Sequence, residues 1–248
     1  VGSVLDLRNV LSVTNGTGIS DAIFVEALAG GLVDLRATVQ MVDPNAGDTR
    51  YRQVVVTADG VNSRVDLSSL VSMTDAWGGS LGGHNLWSQL IARNHGTIHV
   101  PILTDLSAVA LSLNGTGTLP IAQITSIRDG AILVTDGTHT FTGLTNASGS
   151  MITLSNGGRM VADALSNING ASITVGGGVT LSLPSVPSYT HTSGDQDYNR
   201  LRAEGAGSVL DLRNMTSITN GQGNNERIFI EAINGDLVVS HARVAACR

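Results

Sequence analysis

The sequence predicts an all-β fold, a right-handed parallel β-helix or solenoid of about ten rungs, each of about 20 residues and three short strands, with insertions at one corner. Three observations predict it. Val1 to Leu35 aligns without a gap on Ala206 to Ser240, with 20 of 35 positions identical. Between these two copies run weaker ones on the same plan: an apolar-x-apolar triplet, a second short strand, an Asn-Gly or Asp-Gly turn, and a third strand ending in Gly. The composition agrees, since 30 Gly, 3% aromatic and 14% charged residues leave the polar surface to Ser, Thr, Asn and Gly.

The rungs start near Val4, Leu32, Val65, Ile98, Leu119, Phe141, Val161, Leu181, Leu210 and Leu237. The segments TLPIAQITSIRDGAILVTDG, THTFTGLTNASGSMITLSNGG and RMVADALSNINGASITVGGG show the shortest coil, 20 or 21 residues. Alternation with period two turns Leu5, Leu7, Val65, Leu67, Leu119, Ile121, Leu210 and Leu212 into one interior column, and Ile127, Ile168 and Ile218 into another. One such strand cannot bury its face alone, so stability comes from stacking rung on rung. Asn15-Gly16, Asp129-Gly130 and Asn169-Gly170 supply the turns at the corners. Leucine-rich repeats have a similar period, but their fixed Leu and Asn spacing is absent. The expectation is one β-helical domain over 1–248. Neither end carries a polar cap, which fits a segment of a longer array or ends that stack on other copies.

A formal charge of -6, with all 14 basic residues being Arg, offers no basic field for nucleic acid. Cys247 is the only cysteine and cannot close an internal disulfide. No apolar run approaches the ~18 residues of a membrane span. No basic and apolar leader opens the sequence.

The insertions fall between the second and third strands of their rungs: Thr17 to Ala22, Asp43 to Gln53, Ala76 to Leu86, His191 to Asn199 and Gln222 to Arg227. In or beside them lie Tyr51, Trp77, Trp87, Tyr189 and Tyr198, with Arg50, Arg52, Arg93, Asp195 and Asp197 nearby. Aromatic faces flanked by such groups stack on sugar rings and bond their hydroxyls, so one reading is a glycan-binding edge. The other is that the aromatics fold the loops back onto the scaffold. Asp6, Asp34 and Asp66 occupy one outward column, where a calcium ion with oxygen ligands is a candidate bridge. Arg8 and Arg36, two residues further on, offer the same carboxylates an Asp/Arg ladder without metal, and no sequence motif calls for a cofactor.

The phrases GSVLDLRNMTSITNG, GTGTLPIAQITSIRDG and NINGASITVGGGVTLSLPSV resemble the β-strand repeats of very large bacterial surface proteins, the group that includes filamentous-haemagglutinin-like adhesins. The resemblance covers nearly the whole chain. It implies a right-handed β-helix in a secreted or cell-surface protein with a structural or adhesive role, and it carries over no catalytic residue; the aromatic insertions make surface glycans, and the uncapped ends further copies of the chain, the expected partners. The alternative is a polysaccharide lyase or glycoside hydrolase on a β-helical scaffold. Its best cluster is Asp43, Asp48, Arg50 and Arg52 with His84, Arg93 and His95, which has no recognisable catalytic spacing.

Overall fold

The computed structural model describes residues 2–75, 86–191 and 198–234 in full and, beyond these, the backbone strands Leu237–Ser240 and Arg243–Ala245. Among the described residues every regular element is a β-strand, and the strand ladders are parallel. No helix among them is long and apolar enough to cross a membrane. Contacts group the chain into two compact units, Val1–Ile124 and Thr125–Arg248.

In the first unit the chain visits three sheets in turn and then returns to the first. One sheet holds Val4–Asp6, Leu32–Asp34, Arg64–Asp66 and Thr97–His99. A second holds Ser12–Thr14, Gln40–Asp43, Ser72–Asp75 and Asp105–Ser107. The third holds Ala22–Leu28, Gln53–Asp59, Ser88–Arg93 and Val109–Leu113. Each strand pairs with its counterpart one passage later, so Val4 lies opposite Leu32 and Ala22 opposite Gln53. In register and without slip, Val33, Val65 and Ile98 form one buried column, Met41, Met73 and Leu106 a second, and Val56, Leu90 and Leu111 a third. Each such side chain contributes about 1.5–3 kcal/mol by leaving water, and only the next passage of the chain makes that burial available. Leu5 holds the same column as Val33 but is 54% exposed, because it belongs to the edge strand of its sheet.

The second unit follows the same plan with shorter passages. Ala131–Val134, Met151–Leu154, Ser172–Val175, Tyr198–Glu204 and Arg227–Ile233 form one parallel ladder series, with Ile132, Ile152, Ile173 and Leu201 buried in register. Thr138–Thr140 pairs with Arg159–Val161, Thr180–Ser182 with Val209–Leu212, and Ser188–Thr190 with Ser217–Thr219. Where the passage is shortest, the corner is a single residue with a left-handed backbone: Asp129, Gly149 and Gly170, with φ of 56°, 67° and 69°. A strand, or an isolated bridge at Thr118, begins at or just before each of the ten expected rung starts. The insertions lie, as the sequence indicates, between second-sheet and third-sheet strands: Thr14 to Ala22, Asp43 to Gln53, Asp75 to Ser88, Thr190 to Tyr198 and Thr219 to Arg227.

Candidate functional site

The outward face of the third sheet in the second unit gathers aromatic and cationic side chains. Along Tyr198–Glu204, Asn199, Leu201 and Ala203 are buried, which leaves Tyr198, Arg200, Arg202 and Glu204 outward. Register places Tyr198 opposite Arg227 and Arg200 opposite Phe229, so aromatic and guanidinium groups alternate across the two strands. The Tyr198 and Phe229 rings meet edge to face, 6.0 Å apart at 85°. The Arg200 guanidinium lies 5.3 Å from the Tyr198 ring centre and 5.5 Å from that of Phe229, within cation–π range. Tyr198, Arg200, Asn225, Arg227 and Phe229 line a shallow cavity of about 420 Å³. Tyr198 is 56% exposed.

Charge on this face is unevenly satisfied. Arg202 bonds Glu231 at 2.7 Å and Glu204 at 3.1 Å, which holds its guanidinium further above its ordinary pKa. Arg200 reaches Glu231 only at 3.9 Å, and its Nε has no hydrogen-bond partner. Arg227 is exposed, and its side chain makes no ion pair or hydrogen bond among the described residues.

Arg227 follows a corner built twice. In Asn15-Gly16-Thr17-Gly18-Ile19-Ser20-Asp21 the Asn15 amide donates to the Asp21 carbonyl at 2.9 Å, and Gly18 N–H donates to the Asp21 carboxylate at 2.7 Å. In the second copy Asn220 donates to the Glu226 carbonyl at 3.0 Å, and Gly223 N–H to the Glu226 carboxylate at 2.9 Å. Ser20 and Asn225 share a left-handed backbone, with φ of 62° and 61°. The residue after this corner is Ala22 in the first copy and Arg227 in the second. Glu226 turns inward, where its carboxylate lies 3.6 Å from buried His191.

The sequence-derived candidates distribute unevenly over this picture. Tyr198 and its neighbour Arg200 are on the cluster. Tyr189 is a core residue: Ser188 and Thr190 face outward, the ring fills the column above Ile218, and its hydroxyl donates to the Ala171 carbonyl at 2.9 Å. Tyr51 is partly exposed on the 43–53 insertion with φ of 59°, and Trp87 is half-buried. Trp77, His84, Asp195 and Asp197 lie outside the described residues. Arg50 pairs with Asp48, and Arg93 with Asp59 at 2.8 Å.

Arg52 is fully buried and serves as the hub of its insertion. It pairs with buried Asp43 at 3.2 Å and donates to the carbonyls of Gly16, Ala46 and Pro44. Burial raises the Asp43 pKa, against the opposing effects of Arg52 and Asn15. A carboxylate and a guanidinium enclosed in this way cannot face a substrate, so Asp43 and Arg52 of the hydrolytic alternative's cluster are structural. A second buried carboxylate is satisfied by two donors of one residue: Ser88 donates to Asp75 Oδ2 through its N–H at 2.7 Å and its hydroxyl at 2.6 Å.

Asp6, Asp34 and Asp66 do stand in register. Each is neutralised within its own rung: Asp6 by Arg8, Asp34 by Arg36, and Asp66 by Arg64 at 2.9 Å and the Ser68 hydroxyl at 2.7 Å. Asp211 with Arg213 repeats the pair in the second unit. Among the described residues no group of three or more His, Cys, Asp or Glu is placed to hold a metal ion.

These pairs set a pH dependence. The Arg8 hydrogen bond holds Asp6 at about 2, and Arg50 does the same for Asp48. Hydrogen bonds from Arg36 and Arg213 lower Asp34 and Asp211 as well. A carboxyl depressed in the folded state contributes stability above its unfolded pKa of about 3.9 and loses it as pH falls through the folded value. Stability to urea is therefore expected to fall between about pH 4 and pH 2, and the fall to be shallower in an Asp34→Asn/Asp211→Asn variant. An identical acid slope in the variant would remove these pairs as its source. Asp43 acts in the opposite sense: its raised pKa makes its own contribution largest below its unfolded value.

Sequence reasoning missed Phe229, Arg227 and Asn225. The signal was present in the alternation Arg227-x-Phe229-x-Glu231 lying 29 positions after Tyr198-x-Arg200-x-Arg202, the offset that register later gives. Compared with known proteins, the chain matches no family model, no curated protein and no solved structure.

Proposed function

We propose that the chain is a right-handed parallel β-helical module of a bacterial secreted or cell-surface protein, with a structural and adhesive role, and that its adhesive face is the aromatic and arginine cluster of the second unit. The coil follows from three successive sheets whose strands each pair with their counterpart one passage later. Its hand follows from the strong right-handed preference of parallel crossovers. The resemblance to large adhesin repeats supplies the surface location.

The observation that carries the adhesive reading is the grouping of the exposed Tyr198 with Arg200, Arg227 and Phe229 on one outward face. Monomeric proteins place Arg and aromatic side chains together outside a core where something binds, because both are enriched at the energetic centres of interfaces. A sugar ring presents axial C–H groups to a flat ring and hydroxyls to the guanidinium donors around it. The cavity of about 420 Å³ falls in the range of roughly 300–1,000 Å³ found for small-ligand sites. The parallel ladder fixes the spacing of Tyr198, Arg200, Arg227 and Phe229, and the corner before Arg227 adds Asn225.

Polysaccharide retention by the immobilised chain tests this, with the same mixtures assayed for reducing or unsaturated sugar. Retention is expected without product, and Tyr198→Ala is expected to weaken it about tenfold, the effect of roughly 1.4 kcal/mol of lost stacking. Released product would move the reading to an enzyme. Retention unaffected by Tyr198→Ala would move the binding face elsewhere.

A further inference from the structure

We infer that the cluster recognises a carboxylated sugar unit, its carboxylate seated on Arg227 and its ring on Tyr198; this rests on the saccharide-binding reading above. The donor and acceptor inventory of the cavity decides the class. Arg200 and Arg227 have N–H donors only and no acceptor, and they provide two of the three polar side chains that line the cavity beside the Tyr198 hydroxyl, the third being Asn225. A neutral sugar hydroxyl needs an acceptor as well as a donor for full satisfaction. A carboxylate is all acceptor, and its two oxygens match the fork of one guanidinium.

The internal repeat shows that Arg227 is not required by the fold. Ala22 occupies its place after an equivalent corner, with the same Asn amide bond, the same Gly N–H bond to a carboxylate and the same left-handed residue. The following strands keep Phe24 and Phe229, and Glu26 and Glu231, at matching positions. What differs is the cation. An exposed arginine without a side-chain partner among the described residues, on a scaffold that works with alanine, on a chain of formal charge -6, is a local exception to the charge of the molecule. Tyr198 lies directly opposite it, so ring and cation are adjacent cross-strand neighbours about 5 Å apart at their backbones, close enough for one sugar residue to meet both side chains.

The test is calorimetric titration of the full chain with a uronate tetrasaccharide, its fully methyl-esterified form, and dextran sulfate. The uronate is expected to bind at least about tenfold more tightly than its ester, and Arg227→Ala to abolish that difference while the variant keeps the wild-type urea midpoint. Phe24→Ala, on the copy without the cation, is expected to change neither affinity. Equal binding of acid and ester would overturn the carboxylate inference and leave the saccharide reading standing. Dextran sulfate bound as tightly as the uronate, with no loss in Tyr198→Ala, would overturn it in favour of general anion attraction. Absence of binding to either tetrasaccharide would overturn the saccharide reading itself.

Discussion

Arg52→Ala is expected to lower the stability of the first unit by about 3–5 kcal/mol, the cost of leaving a buried charge without its partner. Arg52 is 1% exposed and Asp43 2%, so the carboxylate left behind stays away from bulk water. The substitution also frees the carbonyls of Gly16, Ala46 and Pro44, three acceptors that Arg52 satisfies together. Asp43→Ala/Arg52→Ala is expected to be less harmful than the two single losses added, because it removes both charges and leaves only carbonyls and a void. Urea midpoints at unchanged m-value measure this. The sign with pH is fixed: the Arg52→Ala penalty shrinks as pH falls, since a proton neutralises the stranded carboxylate, whose pKa burial already raises. A loss below about 1 kcal/mol for Arg52→Ala would show that the pair behaves as a solvated one.

Such a hub was beyond the reach of sequence reasoning, and its invisibility has a physical origin. Arginine in a polar insertion reads as a solvated side chain, because period and propensity say nothing about whether a loop closes over it. What closes this loop is distributed: Asn15, 28 positions before Asp43, donates to both Asp43 and the Gln53 carbonyl at 3.4 Å. The ladder of Asp6, Asp34 and Asp66 shows the opposite case. Its register was legible from the repeat alone, since a one-residue slip would expose every core position. Its pairing was legible only in part: the D-x-R spacing places Arg8 on Asp6 and Arg36 on Asp34, whereas Asp66 takes Arg64 from the other side and the Ser68 hydroxyl, so each carboxylate is paired within its own passage of the chain.

Tyr189 marks where a prior overrode a pattern. Ser188-Tyr189-Thr190 aligns with Ser217-Ile218-Thr219, and the alternation puts the central residue inside in both. An aromatic residue beside an insertion suggested a ligand platform, yet at 0% exposure the ring is a core filler whose hydroxyl is already bonded. Tyr198 differs by a single feature of the same kind: it begins a strand whose inward positions are Asn199, Leu201 and Ala203, so parity sends it outward. Parity of position, applied to Phe229 and Arg227 as well as to Trp and Tyr, separates the candidate site from the core.

Gly117→Ala is expected to cost about 3 kcal/mol or more, the upper range for forcing atoms into a packed site. A Cβ at Gly117 would stand 2.1 Å from both the carbonyl carbon and the oxygen of Ala92, which are backbone atoms of the preceding passage and cannot swing aside. Gly96 stands in the same relation to Ala58, with a Cβ 2.2 Å from the Ala58 oxygen. The chain thus passes over the end of a third-sheet strand at backbone contact, and relief requires prying one rung from the next, which weakens the Val109–Leu113 ladder on Ser88–Arg93 as well. Gly157→Ala supplies the contrast: a Cβ there meets nothing within 4 Å, and only the φ of 85° opposes it, at about 1–2 kcal/mol. Urea midpoints of the two variants are expected to differ accordingly, with Gly117→Ala the lower. Equal midpoints would mean that rung spacing near Gly117 relaxes freely. Where each strand is buried by its counterpart one passage later, such a result would locate the rigidity in the side-chain column of Val56, Leu90 and Leu111 instead of in the backbone contact at the corner.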